Sequence, residues 1–298
     1  MTVEKANAKI NVFLDVLSKR ENGYHNIASL MHTVSLCDLV TVEYHPSAHT
    51  EIFMRASGND RMPTNEKNLA WRAAACFLEK IGREATVEIF IEKRIPMAAG
   101  LAGGSADAAA VLRALNRLCG SPLSCEELCE LGVKIGADVP FCIVGGSALV
   151  EGIGDVLTKA PQMPCGHLLV ACKGEGVSTP WAYGELDRIY HDFVPARVCR
   201  QDAQNAIFEA WSRDDLCASS EYFFNLFEEV VPRAQPHVAP LKRTMYDCGA
   251  VCAMMSGSGP SVFGVFKSEA QAKEAQRQLS LLGAAAYLCG PASAYEKI

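Results

Sequence analysis

The stretch from Pro96 to Leu118, PMAAGLAGGSADAAAVLRALNRL, holds the residues whose spacing is easiest to read as chemistry. Val111, Leu112, Leu115 and Leu118 recur at helical spacing behind an alanine-rich run. A helix beginning here presents unpaired backbone N–H groups, with the positive end of its dipole behind them. Gly100, Gly103 and Gly104 carry no side chain that would keep an anion away from those groups. Ser105 is placed to cap the helix or to bond the same anion. One reading is a phosphate cradle. The other is a tight strand-to-helix connection in which glycines relieve crowding. Neither G-x-x-x-x-G-K-S/T nor G-x-G-x-x-G is present, so the loop alone does not decide between them.

Two charged residues stand where chemistry is possible. Lys9 lies in a strand pattern, on the face opposite Ile10 and Val12 and shared with Asn11. It is either a solvated lysine on an edge strand or a functional lysine on a central one. Asp138 falls in Gly136-Ala137-Asp138-Val139-Pro140, where Pro140 is expected to force Val139 out of helical geometry and leave the carboxylate at a helix-to-strand junction. Such a carboxylate is a turn former or a base.

The elements that must position these groups follow from periodicity. Val87, Ile89 and Ile91 alternate with Glu88, Phe90 and Glu92, the pattern of a strand leading into the glycine loop. A first strand carries Ile10, Val12 and Leu14, and a second ends over 40–44 after the turn at Glu21, Asn22 and Gly23. A helix is predicted over 65–82 with Gly82 as its C-terminal cap. Another follows Ser124, which with Glu127 has capping-box spacing and stops near Gly136. Prolines and glycine in LTKAPQMPCG, 157–166, mark a domain boundary. Beyond it a strand is expected over 167–172, helices over 182–189 and 220–230, a hairpin turning at Ser256-Gly257-Ser258-Gly259, a helix over 268–282 and a strand over 285–288. Mixed strands and helices in this order describe an α+β second domain.

Composition narrows the classes. A chain of 298 residues, 49% hydrophobic, suffices for two cores, and its net charge of −6 comes without any basic run suited to nucleic acid. The sequence has neither a membrane-length apolar stretch nor a signal-peptide pattern, which leads us to expect a cytoplasmic protein. Thirteen cysteines, scattered and without zinc-knuckle spacing, read as buried reduced thiols.

Four separated segments, AKINVFLDVLSKRENGYHNI, IPMAAGLAGGSADAA, GADVPFCIVGGSALVEGIG and MSGSGPSVFGVF, together resemble the GHMP kinases, the family of galactose, homoserine, mevalonate and phosphomevalonate kinases. The resemblance runs from about residue 6 to the last strand. It implies a two-lobed α+β fold: a ribosomal-protein-S5-like N-terminal domain (1–160) and a ferredoxin-like C-terminal domain (161–298), with the active site in the cleft between them. It implies ATP and Mg2+ as cofactors, Asp138 as the base and Lys9 beside it. The nucleotide would be held by Pro96, Met97, Ala98, Ala99, Gly100, Leu101, Ala102, Gly103, Gly104, Ser105 and Asp107, with Asn68 and Lys93 contributing. Ser105 and Asp138 are the candidates for Mg2+, whose ligands the motifs do not specify.

Within the family the match is to the branch acting on a cytidine diphosphate-linked methylerythritol. There Asn11, Tyr24, His25, Thr179 and Tyr183 would hold the substrate, with Tyr24 and Tyr183 as rings for the base and His25 for its polar edge. The resemblance implies no membrane or nucleic-acid partner, and leaves monomer and homodimer open. The alternatives are another small-molecule kinase of the family, or a nucleotide-binding relative that has lost catalysis. Position 102 is alanine where the family has the first glycine of its triplet, and position 106 is alanine where its second serine stands. If residue 102 needs positive φ, alanine there costs about 1–2 kcal/mol.

Overall fold

The computed structural model describes residues 1–190 and 200–295. In chain order its elements begin with strands β1 (Thr2–Lys19), β2 (His25–Pro46) and β3 (Glu51–Ser57), helix α1 (Leu69–Ile81), strand β4 (Ala85–Glu92), and helices α2 (Gly103–Leu118), α3 (Cys125–Ile135) and α4 (Val139–Val144). Strands β5 (Ser147–Gly152), β6 (Val156–Lys159) and β7 (His167–Cys172) follow, then α5 (Thr179–Ile189), α6 (Arg200–Ser212), α7 (Leu216–Ser219), β8 (Phe224–Asn225), α8 (Val231–Ala234) and α9 (Val238–Asp247). The hairpin β9 (Ala250–Met255) and β10 (Val262–Phe266), helix α10 (Glu269–Leu281) and strand β11 (Ala285–Cys289) complete the described chain.

One sheet runs β3-β4-β2-β1-β8, with β5 and β6 branching from β2; the other runs β11-β7-β10-β9. A core of Phe77, Val87, Ile89, Ile91, Leu112, Leu115 and Phe141 packs α1 to α4 on the first sheet. Another, with Ile10, Val12, Leu30 and Leu101 against Leu168, Met254 and Phe263, joins the two sheets. β1 therefore lies between β2 and β8 with apolar partners on its inner residues. Lys9 is on a central strand, 4% exposed, which excludes the solvated-edge reading.

Several local signals act as expected. Asn68 caps α1 and Gly82 ends it in the left-handed region (φ 63°), while Ser124 and Glu127 form the capping box of α3. α2 is buried on nearly every side from Ala106 to Asn116, and its alanines let neighbouring elements approach closely.

Other expectations are corrected. Val139 is helical: Pro140 sits in the first turn of α4, where a missing N–H breaks no helical bond, so Asp138 is the N-terminal boundary residue of a short helix. Ser105 does not cap α2, because Ala102 takes the boundary position and puts Ser105 inside the helix. The helix expected over 220–230 is instead two 3-10 turns around β8, which pairs in parallel with Phe13 and Leu14 of β1. Asn225 makes the difference, since its side chain accepts from Phe227 N–H and donates to the Met255 and Gly257 carbonyls. Residues 157–159 of the proline-rich segment pair in β6, and β3, β5, α6 and α9 had no clear sequence signal. The described cysteines are free, but most are half-buried, and Cys125 and Cys165 are exposed; Cys199 lies outside the described residues. Among the described residues no helix is long and apolar enough to cross a membrane, and no cluster of three metal-ligating side chains occurs.

Candidate active site

The glycine loop connects β4 to α2 through backbone that alternates into the left-handed region at Ala98 (φ 51°), Gly100 (φ 79°) and Ala102 (φ 55°). Position 102 thus does require positive φ, and alanine bears the strain there. Gly100 is irreplaceable on space as well: a Cβ on it would lie 2.1 Å from the Ser256 carbonyl oxygen. Gly104 is the opposite case, with its nearest neighbour 3.8 Å from such a Cβ, so its bareness serves the cleft and not the packing.

The loop is held by the β9–β10 turn. Ser256 Oγ donates to the Gly100 carbonyl at 3.0 Å, and Ser261 N–H donates to the Ala99 carbonyl at 3.2 Å. Lys9 N–H donates to the Leu101 carbonyl at 3.1 Å, tying β1 to the same loop. Thr179 Oγ1 lies 2.9 Å from Ser258 Oγ and brings the start of α5 onto the turn. Position alone reads this turn as a hairpin connection; its place in the family segment MSGSGPSVFGVF and its Ser-Gly-Ser-Gly composition are the signs that backbone must come close to something.

Lys9 Nζ donates to Asn11 Oδ1 at 2.6 Å, and the same oxygen accepts from Gly257 N–H at 2.9 Å. Asn11 Nδ2 donates to Ser29 Oγ, which donates to the Phe13 carbonyl, so the amide is oriented by a completed chain of bonds. A Cβ on Gly257 would be 3.1 Å from Lys9 Nζ. Burial pulls Lys9 below the usual lysine range, and the Asp138 carboxylate and Cys142 pull it part of the way back. Asp138 makes no ion pair within 4 Å of Lys9 among the described residues, and its charge also acts on the half-buried Tyr183, whose hydroxyl the surrounding packing pushes upward. Lys9, Asp138 and Tyr183 therefore share one neighbourhood.

Lys93 has a different environment. Its Nζ donates to Asp38 Oδ2 at 2.5 Å and to Asp107 Oδ2 at 2.6 Å, all three residues being buried. Asp38 Oδ1 takes the Arg94 and Ile95 N–H groups, which fixes the chain entering the loop. Burial works against the charge on Lys93, but the two carboxylates outweigh it and raise its pKa. Burial pushes the Asp107 carboxyl up to about 8, with Lys93 opposing and Asp38 adding to the rise. Asp107 Oδ1 is buried without a hydrogen-bond partner. Asp38, a charged residue in an otherwise apolar strand stretch, was missed.

A cleft of about 190 Å³ opens beside this triad, lined by Met62, Pro63, Lys67, Asn68, Lys93, Pro96, Met97, Ala98, Gly103, Gly104 and Asp107 among others. Asn68 borders it, but its amide is committed to Ala70 N–H and the Pro63 carbonyl. A larger cleft of about 350 Å³, between Ser35–Cys37, Arg94 and the β11 edge, has no helix start or glycine backbone facing it. The smaller one has the chemistry for an anion. Ser105 Oγ would be 3.9 Å from a Cβ on Gly136, so its hydroxyl points toward the turn bearing Asp138.

Of the residues expected to hold a base, His25 and Tyr183 are stacked on one another, centroids 4.5 Å apart and planes 10° from parallel. His25 Nε2 lies 2.8 Å from Asp187 Oδ1, and Lys19 donates to Asp187 Oδ2 at 2.5 Å. Slight burial raises Asp187, but these two bonds outweigh it and hold the carboxyl below its ordinary range. Tyr24 is 61% exposed. Phe227 meets the Tyr183 ring edge-on at 5.0 Å and fixes its plane. Asp187 and Phe227 are site neighbours that no motif revealed.

The two-lobed α+β fold agrees with comparisons to known proteins. The chain matches the GHMP kinases N terminal domain model over residues 68–146 and the GHMP kinases C terminal model over 200–285, and it belongs to the GHMP kinase family. It is 41% identical to a 4-diphosphocytidyl-2-C-methyl-D-erythritol kinase of Alkaliphilus metalliredigens, covering 93% of this chain and 92% of the relative. The enzyme of the same name from Syntrophomonas wolfei is 40% identical, with 92% of each chain covered. A crystal structure of 4-(cytidine 5'-diphospho)-2C-methyl-D-erythritol kinase superposes with a TM-score of 0.79 at 32% identity, over 98% of this chain and all of that one. A homoserine kinase from Cytophaga hutchinsonii shares the fold, with a TM-score of 0.71 at 19% identity over 98% and 94% of the two chains.

Proposed function

We propose that this chain transfers the γ-phosphoryl group of ATP to the 2-hydroxyl of 4-diphosphocytidyl-2-C-methyl-D-erythritol. The observation that carries the mechanism is Lys9: a buried ammonium held by a neutral amide, within the field of Asp138 and tied through its backbone to the glycine loop. Phosphoryl transfer asks the protein mainly to position two partners and to stabilise charge. Asp138 accepts the proton of the substrate hydroxyl, and Lys9 orients that hydroxyl and stabilises the oxygen as it loses the proton. The loop from Pro96 to Asp107 cradles the phosphates with backbone N–H groups at the start of α2. Asp107 Oδ1, buried and unpartnered at the cleft, fits a donor on the nucleotide.

The donor set suits Mg2+, which takes one or two protein oxygens and completes its shell with phosphates and water. Ser105 and Asp138 would hold it, and when bound it neutralises charge on the phosphates. Asn11, Tyr24, His25, Tyr183 and Thr179 form the substrate side. The stacked His25–Tyr183 pair offers one rigid platform, so the base lies outside that pair and not between the two rings. We take the lobes to be 1–160 and 161–298.

The test is an ADP-release assay with ATP and Mg2+, offering the cytidine substrate, mevalonate and homoserine separately, with 31P NMR of the product. The reading predicts turnover with the cytidine substrate alone and a phosphomonoester on its 2-oxygen. Turnover with mevalonate or homoserine at a comparable kcat/KM would reject the substrate assignment.

A further inference from the structure

Among the described residues strand β3 ends the first sheet and pairs only with β4, in parallel from Glu51 opposite Thr86 to Ser57 opposite Glu92. Ser57 accepts Lys93 N–H at 2.9 Å on the β4 side. In a parallel ladder alternate residues address the same neighbour, so the backbones of Glu51, Phe53, Arg55 and Ser57 face β4, and those of Ile52, Met54 and Ala56 face outward. Among the described residues the only bond to these outward groups is from Trp71 Nε1 to the Ile52 carbonyl, at 3.3 Å. Sheet edges in monomers are usually blocked by proline, lysine or a bulge. EIFMRAS has no proline, no lysine and no register break against β4.

The side chains complete the pattern. Ile52 and Met54 turn toward the helices, while Glu51, Phe53 and Arg55 are exposed on the other face, Phe53 at 53%. The sequence is complementary to itself when run antiparallel about Phe53. In that register Ile52 meets Met54 of a second copy through the outward backbone groups, the Ile52 carbonyl accepting Met54 N–H on the lone pair that Trp71 Nε1 leaves open, Phe53 meets Phe53, and Glu51 meets Arg55 twice by symmetry. The phenylalanine and charge pairs then occupy the non-hydrogen-bonded positions, where side chains come closest. A slip of two residues sets Glu51 or Arg55 opposite Phe53 and loses both ion pairs, so the charges select one register. Arg55 is free to take this partner, because its contact with Glu88 of its own chain is 3.9 Å long and largely exposed.

We propose that β3 is a homodimerisation edge, joining the first sheets of two copies by antiparallel pairing about Phe53. The arrangement is isologous, as a two-fold dimer requires. It is independent of the catalytic assignment.

Sedimentation equilibrium of the full chain, from about 1 to 500 µM, tests it, a range suited to a small interface. Wild type is expected to move from monomer to dimer mass. Arg55→Glu and Glu51→Arg, each placing like charges opposite one another, should weaken the dimer at least about tenfold. The double variant Glu51→Arg/Arg55→Glu should restore it, and the two single variants mixed should form a heterodimer that neither forms alone. Both residues are exposed, and circular dichroism and turnover report that the variants remain folded. A wild type that stays monomeric to the top of the range overturns the proposal. So does a dimer that Arg55→Glu leaves unchanged, since another face would then be holding it.

Discussion

Lys9 and Lys93 are both buried lysines beside the same glycine loop, and their surroundings drive them in opposite directions. Lys9 has a neutral amide as its bonded partner and a carboxylate only at longer range, so burial prevails and its pKa falls. Lys93 touches two carboxylates, which outweigh an equally apolar setting, so its pKa rises. A lysine with a depressed pKa and an unpinned carboxylate nearby is suited to moving charge during a reaction. One locked between two carboxylates is suited to fixing a backbone. The nearer partner, more than the depth of burial, sets the direction in which each lysine shifts, and on the proposed mechanism that difference separates their roles.

The largest effect expected from breaking this contrast is on turnover. Lys9→Met should lower kcat by about 10²–10⁴-fold while leaving Tm unchanged or higher, because methionine needs no charge partner in that site. Lys93→Met should act mainly on stability. It leaves Asp38 and Asp107 buried without their cation, a loss of about 3–5 kcal/mol read as a drop in denaturation midpoint, with a smaller fall in kcat than Lys9→Met causes.

Making Lys9 resemble Lys93 is the sharper experiment. Asn11→Asp places a carboxylate against the Lys9 ammonium, so the Lys9 pKa should rise by NMR titration and kcat should fall by about tenfold or more. A smaller effect concerns pH. The folded-state pKa of Asp107 is raised to about 8, so its contribution to stability is full at acid pH, below the unfolded value, and is lost as pH rises through about 8. Asp107→Asn should flatten that slope, which reaches at most about 1.4 kcal/mol per pH unit, in denaturant titrations between pH 5 and 9. Smallest is Ala102→Gly, which relieves a left-handed alanine against the extra freedom of glycine in the unfolded chain. The net gain should be up to about 1 kcal/mol in a chemical-denaturation midpoint, with tighter ATP binding if the methyl group crowds the phosphates.

The sequence made the two halves of the site unequally legible. Lys9, Asp138 and the glycine loop were picked out by the four family segments; local pattern alone left Lys9 as an edge or a functional lysine, Asp138 as a turn former or a base, and the loop as a tight connection or a cradle. The helices with clear caps, α1 and α3, were visible from local pattern. What remained hidden depends on contacts distant in sequence. Asp38 is 55 residues from Lys93, and Asn225 holds a turn 30 and 32 residues away. Neither shows a local pattern, and the tertiary bonds of Asn225 overrode a helical reading of its neighbourhood. The Pro140 signal misled differently. Proline restricts the residue before it in general, but the first turn of a helix accommodates proline, and sequence spacing does not say which case applies. The stacking of His25 on Tyr183 likewise rests on a contact between β2 and α5 that no motif carries.

The central claim is that Asp138 takes the proton while Lys9 steadies the oxygen. Single-turnover phosphoryl transfer to the cytidine substrate, with ATP and Mg2+ saturating, compared between wild type and Asp138→Asn, tests it most directly. The account predicts a rate about 10²–10⁴-fold lower in the variant, with nucleotide affinity within a few fold of wild type. A variant rate within tenfold of wild type, at equal nucleotide occupancy, would contradict it.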